Sequence, residues 1–83
     1  MDFIVRPTGE SPMNALRLLA EALSKIGLPQ GWHCEAGPIL IVLSAPESER
    51  PERAMLTWAW NLVRAACNGR DDLRPDYFSI GVG

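Results

Sequence analysis

The sequence predicts a small α+β domain in which two helices and four short strands alternate. Two long segments repeat apolar residues at helical spacing, and four short segments carry the β-branched or alternating apolar residues typical of strands. The chain has 83 residues, 47% hydrophobic and 22% charged, which is the composition of a globular protein. A length of this order predicts a single domain over residues 1–83.

The N-terminal part predicts a strand followed by a helix. Asp2 to Arg6 is predicted as a strand in which Phe3 and Val5 point to one face and Ile4 and Arg6 to the other. Pro7 ends it. The helix is predicted from Pro12 to Ile26, with Ser11 as its N-cap and Gly27 as the residue that ends it. Its main apolar face repeats at intervals of three and four residues: Leu16, Leu19, Ala20, Leu23 and Ile26.

A hairpin is predicted in the middle of the chain. Its first strand runs from Trp32 to Glu35, its turn covers Ala36 to Pro38, and its second strand runs from Ile39 to Leu43. The second strand consists of five consecutive apolar residues, three of them β-branched. Such a run is typical of a central strand with apolar contacts on both faces.

The second helix, predicted over Pro51 to Asn68, organises the domain because it has the longest regular pattern and two of the three tryptophans. Ser48 is a candidate cap. Trp60 lies at the edge of a broad apolar arc, where it would be available to a partner. A charged loop follows the helix. Tyr77 to Gly83 is predicted as the final strand, because apolar side chains recur there at every second position. The core face of the helix consists of Met55, Trp58, Ala59, Leu62 and Ala66.

The element order is β-α-β-β-α-β. Right-handed crossovers place both helices on one face of a four-stranded antiparallel sheet, a ferredoxin-like sandwich whose first and third strands are central. The alternative is a three-stranded sheet with a terminal strand paired onto a second chain.

A ferredoxin-like sheet has a second, bare face. Side chains alternate along a strand, so either Ile39, Ile41 and Leu43, or else Leu40 and Val42, would lie on that face. Either choice predicts an apolar patch with Tyr77 beside it, which marks an interface unless a loop covers it.

Composition argues against several functional classes. A net charge of −2 and a pI near 5.2 leave no basic surplus for nucleic acid. The third strand also lacks the aromatic residues on which RNA-recognition domains stack bases. No apolar run is long enough to span a bilayer and no signal peptide is visible, so we expect a cytoplasmic protein with Cys34 and Cys67 as free thiols.

Candidate chemistry is sparse. His33 and Cys34 are adjacent on a strand, where neighbours point to opposite faces, so they cannot form a catalytic dyad. No metal-ligand spacing and no glycine-rich phosphate motif is present, so no metal, cofactor or enzymatic activity is predicted. No motif that characterises a protein family can be quoted from the chain.

These observations predict a non-enzymatic protein-binding module that acts as a regulator or inhibitor, a profile common among accessory proteins of phages and mobile elements, including inhibitors of host defence. A homodimer through the bare sheet face is a further expectation. The alternative hypothesis is a dimeric small-molecule sensor or minor enzyme with a pocket lined by Trp32, His33 and Tyr77. The candidate partner-binding residues are Trp60, Leu56, Ile39, Ile41, Tyr77, Asp71, Asp72 and Asp76.

Overall fold

Two helices cover one face of a four-stranded antiparallel sheet. The computed structural model describes all 83 residues. The strand order β2-β3-β1-β4 places β1 and β3 at the centre, which confirms the ferredoxin-like prediction. The elements are β1 (Asp2–Pro7), α1 (Ala15–Ile26), β2 (His33–Ala36), β3 (Ile41–Ser44), α2 (Glu52–Cys67), a 3₁₀ turn (Pro75–Tyr77) and β4 (Phe78–Val82).

The core lies between the helices and one face of the sheet. Phe3 pairs with Leu43 and Val5 pairs with Ile41, and paired residues of antiparallel strands point to the same face. All four are fully buried. The helices cover them with apolar side chains that are themselves almost inaccessible, namely Leu19 and Leu23 of α1 and Met55, Ala59 and Val63 of α2.

The open face of the sheet carries Val42, from the second of the two predicted sets, at the centre of a largely polar surface. Ile4 pairs with Val42 in its centre, and both are only half-buried. Ile41 and Leu43 point to the helices instead, and Ile41 is 0% exposed, so it cannot contribute to a partner surface. The polar neighbours on the open face are Asp2, Arg6, His33, Glu35, Ser44 and Ser79.

The hairpin turn explains why β3 begins two residues later than predicted. The N–H of Gly37 donates to the carbonyl of Leu40 at 2.9 Å, which makes Pro38 and Ile39 the tip of the turn. Proline has no N–H to offer a strand, so the ladder cannot extend through it. Ile39 therefore lies at the tip with 73% of its surface exposed.

Helix α1 also begins later than predicted, at Ala15. The Ser11 hydroxyl does not cap the helix, because it donates to the carbonyl of Thr8 at 2.6 Å and closes the turn after β1. Gly27 follows the last helical residue with a φ of 73°, which confirms its role in ending the helix.

Helix α2 matches its prediction to within one residue at each end, and Gly69 follows it with a φ of 80°. The predicted cap is wrong: the Ser48 hydroxyl accepts a bond from the N–H of Arg50 at 3.1 Å within the preceding loop. Neither helix has the length and apolar character needed to cross a bilayer.

Candidate functional site

Helix α2 presents a row of three side chains at intervals of four residues, Leu56, Trp60 and Arg64. Residues at this spacing lie one above another on a helix. Leu56 and Trp60 are half-buried and pack against the edge of the core, whereas Arg64 is exposed. The row therefore joins apolar surface to a positive charge along one flank of the helix.

Arg64 lies over the ring of Trp60. Its guanidinium carbon is 5.8 Å from the ring centroid, within the range of a cation–π contact. At an exposed site such a contact contributes about 0.5–1 kcal/mol. The contact holds the guanidinium at the rim of the tryptophan, with its hydrogen-bond donors still open to solvent.

A cavity of about 560 Å³, which we call the Trp60 groove, opens beside this row. Two carboxylates, from Glu10 and Asp76, line it together with the Arg64 guanidinium. A second open cavity of about 530 Å³ shares Arg64 and Pro75 with it, so the depression continues toward the end of α2. The groove is lined by Thr8, Glu10, Trp60, Arg64, Pro75, Asp76 and Phe78.

The wall opposite α2 is held in place by Thr8. Its N–H donates to the carbonyl of Tyr77 at 2.8 Å, and its hydroxyl donates to the carbonyl of Asp76 at 2.8 Å. Tyr77 in turn meets Phe78 edge-on, with ring centroids 6.4 Å apart. The 3₁₀ turn is therefore tied to the end of β1, and the groove has a preformed wall.

The predicted partner-binding residues are only partly brought together. Trp60 and Asp76 line the same groove, whereas Tyr77, next to Asp76 in the chain, does not line it. Leu56 lies one helical turn before Trp60. Ile39 is at the separate hairpin tip, and Ile41 is in the core.

The three predicted acidic residues do not form one cluster. Arg70 donates twice to the carboxylate of Asp72, with both distances 2.9 Å. This hydrogen bonding lowers the pKa of the Asp72 carboxyl below its ordinary value. Asp71 is exposed nearby, whereas Asp76 belongs to the Trp60 groove. The loop charge is therefore partly neutralised within the chain.

A second group of aromatic rings, which we call the Trp32 cluster, lies outside the Trp60 groove and consists of Phe3, Trp32 and Trp58. The Trp32 centroid is 6.2 Å from Phe3 and 5.4 Å from Trp58, and the Arg50 guanidinium lies 5.1 Å over Trp58. Trp32 is 4% exposed, and its indole N–H has no hydrogen-bond partner. A buried donor without a partner costs about 1–3 kcal/mol.

A third open cavity, of about 390 Å³, lies between α1 and β2. Trp32 and His33 line it as predicted, but Tyr77 does not. Cys34 also lines it, and partial burial raises the pKa of this thiol, so it stays protonated and weakly nucleophilic near neutral pH. The complete lining is Ala20, Leu23, Ser24, Leu28, Trp32, His33, Cys34 and Ala36.

Sequence reasoning missed the residues that complete the Trp60 groove. Glu10 and Thr8 come from the loop after β1, and nothing in their spacing connects them with α2. Arg64 has a visible signal, since it lies four residues after Trp60, but the same charge is equally typical of the solvent side of a helix. No group of His, Cys, Asp and Glu side chains is placed to hold a metal ion.

The comparisons give no relative from which a function can be transferred: no protein-family model, no curated protein and no solved structure matches this chain.

Proposed function

We propose that this protein binds another protein through the Trp60 groove and acts through that contact as a regulator or inhibitor, without catalysing a reaction. The observation that carries the proposal is the half-buried Trp60, which lies under Arg64 in an open groove of about 560 Å³.

The chemistry of the groove is that of a protein interface. Tryptophan and arginine are the residue types most enriched among those that dominate binding energy, and such residues work best in preformed depressions. Trp60 is already packed against the core, so binding would cost little of its conformational freedom. Leu56 extends the apolar surface along the same flank.

The charges of the groove suggest the chemistry of the partner. Glu10 and Asp76 give it two carboxylates against one guanidinium, and the whole chain has a net charge of −2. We propose a partner that inserts an apolar or aromatic side chain against Trp60 and places a lysine or arginine between the two carboxylates.

We extend the proposal to the biological origin and the cellular compartment of the protein. A small acidic protein of this kind fits an accessory protein of a phage or mobile element, for example an inhibitor of a host defence system, acting in the cytoplasm. The free thiols Cys34 and Cys67 suit a reducing compartment.

Partner capture with matched variants tests the proposal. The tagged chain is used to capture and identify its partner in host extract, and the purified pair is then measured by calorimetry. We expect Trp60→Ala and Glu10→Lys each to weaken binding at least tenfold. Asn61→Ala, an exposed change on the same helix outside the groove, should leave binding unchanged. Unchanged affinity for both groove variants, with their fold intact, would contradict the proposal.

A second candidate is a dimeric small-molecule sensor or minor enzyme that uses the cavity between α1 and β2. Trp32, His33 and Cys34 all line this cavity, which gives it the mixture of apolar and polar groups that small-ligand sites have. A metabolite panel that raises the melting temperature of the wild type, but not of Trp32→Phe, would support it. If no compound shifts the melting temperature, this candidate fails.

A further inference from the structure

Strand β2 forms one edge of the sheet, because β3 is its only neighbour. Its register with β3 pairs His33 with Ser44 and Glu35 with Val42. An edge strand leaves every second residue with an N–H and a C=O that point away from the sheet.

The hairpin closure identifies those residues. The N–H of Gly37 bonds to the carbonyl of Leu40, and ladder bonds alternate along an antiparallel pair. Residues 33 and 35 therefore bond to β3, while the backbone groups of Cys34 and Ala36 point to the free edge. Two donors and two acceptors are thus available in the geometry that an added strand requires.

The cavity between α1 and β2 lies directly beside this edge. Cys34 and Ala36 line it from the strand, and Ala20 and Ser24 line it from the helix. A strand added to β2 would have every second side chain on the helix side of the sheet, where the cavity is. Six of the eight residues that line the cavity are hydrophobic, so we expect those side chains to be aliphatic.

The opposite edge differs. The N–H of Phe78, at the start of β4, already donates to the carbonyl of Pro75. The Trp60 groove meets β4 only at Phe78. The backbone groups of Ile80 and Val82 are free on this edge as well, but the Trp60 groove does not extend along them, so only the β2 edge combines free backbone groups with a cavity along the strand.

We propose that the β2 edge binds an extended segment of a partner protein as a fifth strand, with the pattern aliphatic, basic, aliphatic. The two aliphatic side chains lie opposite Cys34 and Ala36 and enter the cavity. The basic side chain lies opposite Glu35, which is exposed on the open face of the sheet and gives the charge complementarity. This surface is separate from the Trp60 groove.

A peptide titration followed by two-dimensional ¹⁵N NMR tests this inference. The probe is acetyl-Ser-Val-Lys-Val-Ser-amide, added at up to millimolar concentration to the full chain. We expect the largest changes in amide chemical shift at Cys34, Ala36 and Ser24, and no change at Trp60. The charge-reversed probe with Glu in place of Lys should bind several-fold more weakly. A probe with both valines N-methylated should lose binding at least tenfold.

Matched proline variants separate edge pairing from other binding. Ala36→Pro removes an N–H that β3 does not use, and Val82→Pro makes the equivalent change on the exposed end of β4. We expect at least a tenfold loss for the first and no change for the second. If Ala36→Pro fails to fold, Ala20→Leu narrows the cavity with the edge intact and should give the same loss.

Three results would overturn the inference. The first is the absence of any chemical-shift change near β2 at millimolar peptide, and the second is that Ala36→Pro and Ala20→Leu bind the peptide as tightly as the wild type does. The third is concentration-dependent shifts at Cys34 and Ala36 without peptide, which would assign the edge to a second copy of the chain. None of these results bears on the Trp60 groove, so the two proposals fail independently.

Discussion

Trp32 and Trp60 are the same side chain in opposite surroundings. Trp32 lies in the Trp32 cluster with 4% of its surface exposed, between Phe3 and Trp58. Trp60 is half-buried at the edge of α2 and is covered on one side by Arg64, a residue that is itself exposed. The first tryptophan fills the interior, whereas the second keeps part of its ring available at the surface.

The difference lies in which elements converge on each ring. Trp32 precedes the edge strand β2, but α2 and β1 both pack onto it, so its aromatic contacts come from two distant parts of the chain. Trp60 shares the lining of an open groove with the loop after β1 and the 3₁₀ turn, which leave one side of it uncovered. Tryptophan content alone therefore does not reveal a binding surface, whereas the convergence of elements does.

The largest effect is expected where a charge enters the core. Ile41→Glu should prevent folding, because an unpaired buried carboxylate costs several kcal/mol and a domain has only about 5–15 kcal/mol to lose. Ile39→Glu, two residues earlier at the exposed hairpin tip, should change stability by less than about 0.5 kcal/mol. Circular dichroism melts compare them. A cooperative melt of Ile41→Glu near that of the wild type would show that the two sheet faces have been exchanged.

Truncation of Trp32 should have the next largest effect. Trp32→Ala should lower the free energy of unfolding by about 3–5 kcal/mol, because it leaves a cavity between Phe3 and Trp58. Trp32→Phe should lose clearly less, since it keeps an aromatic ring between Phe3 and Trp58. Urea unfolding measures both, and equal losses would show that the phenylalanine ring does not fill the space that Trp32 leaves.

Trp60→Ala should have a smaller effect on stability, about 1–2 kcal/mol, because part of the ring already contacts water. The same change should remove partner binding at the Trp60 groove. Urea unfolding gives the free energies of unfolding of Trp60→Ala and Trp32→Ala, which can then be compared directly. A loss as large as that of Trp32→Ala would place Trp60 in the core and remove the contrast between the two rings.

The smallest effect is expected from Asp72→Asn, an exposed residue that lines neither the Trp60 groove nor the cavity beside Trp32. The hydrogen bonds from Arg70 lower the pKa of the Asp72 carboxyl, so the ionised form stabilises the fold. That contribution is present above the ordinary pKa of about 4 and is lost as the pH falls through the lowered value. Melting temperatures of variant and wild type should differ slightly at pH 7 and converge in acid. A difference that grows in acid would contradict this sign.

Apolar periodicity predicted the fold because it decides which elements exist and in what order. The core positions of α2 and the central place of β3 follow from apolar side chains that are buried wherever the exact ends of the elements lie. Boundaries were less predictable: Ser11 and Ser48 both had the chemistry of a cap, but each hydroxyl bonds within a nearby turn. A local pattern does not show which of two competing hydrogen bonds forms.

The site was less predictable than the fold for a related reason. Choosing the open face of β3 required the register, which places Val42 there and Ile41 inside, and a one-residue shift reverses that choice. The Trp60 groove joins residues from the loop after β1, α2 and the 3₁₀ turn. Glu10 and Asp76 are far apart in the chain, and only the pairing of β1 with β4 brings them together.

The hydrogen bond from Thr8 to Asp76 spans 68 positions of the chain, and it also constrains the order in which the protein folds. The helices and the β2–β3 hairpin need only local contacts, whereas the pairing of β1 with β4 must close a very long loop, which is a slow step. The Trp60 groove is then among the last features to form. Thr8→Ala should slow the appearance of partner-binding competence in stopped-flow refolding more than it slows helix formation.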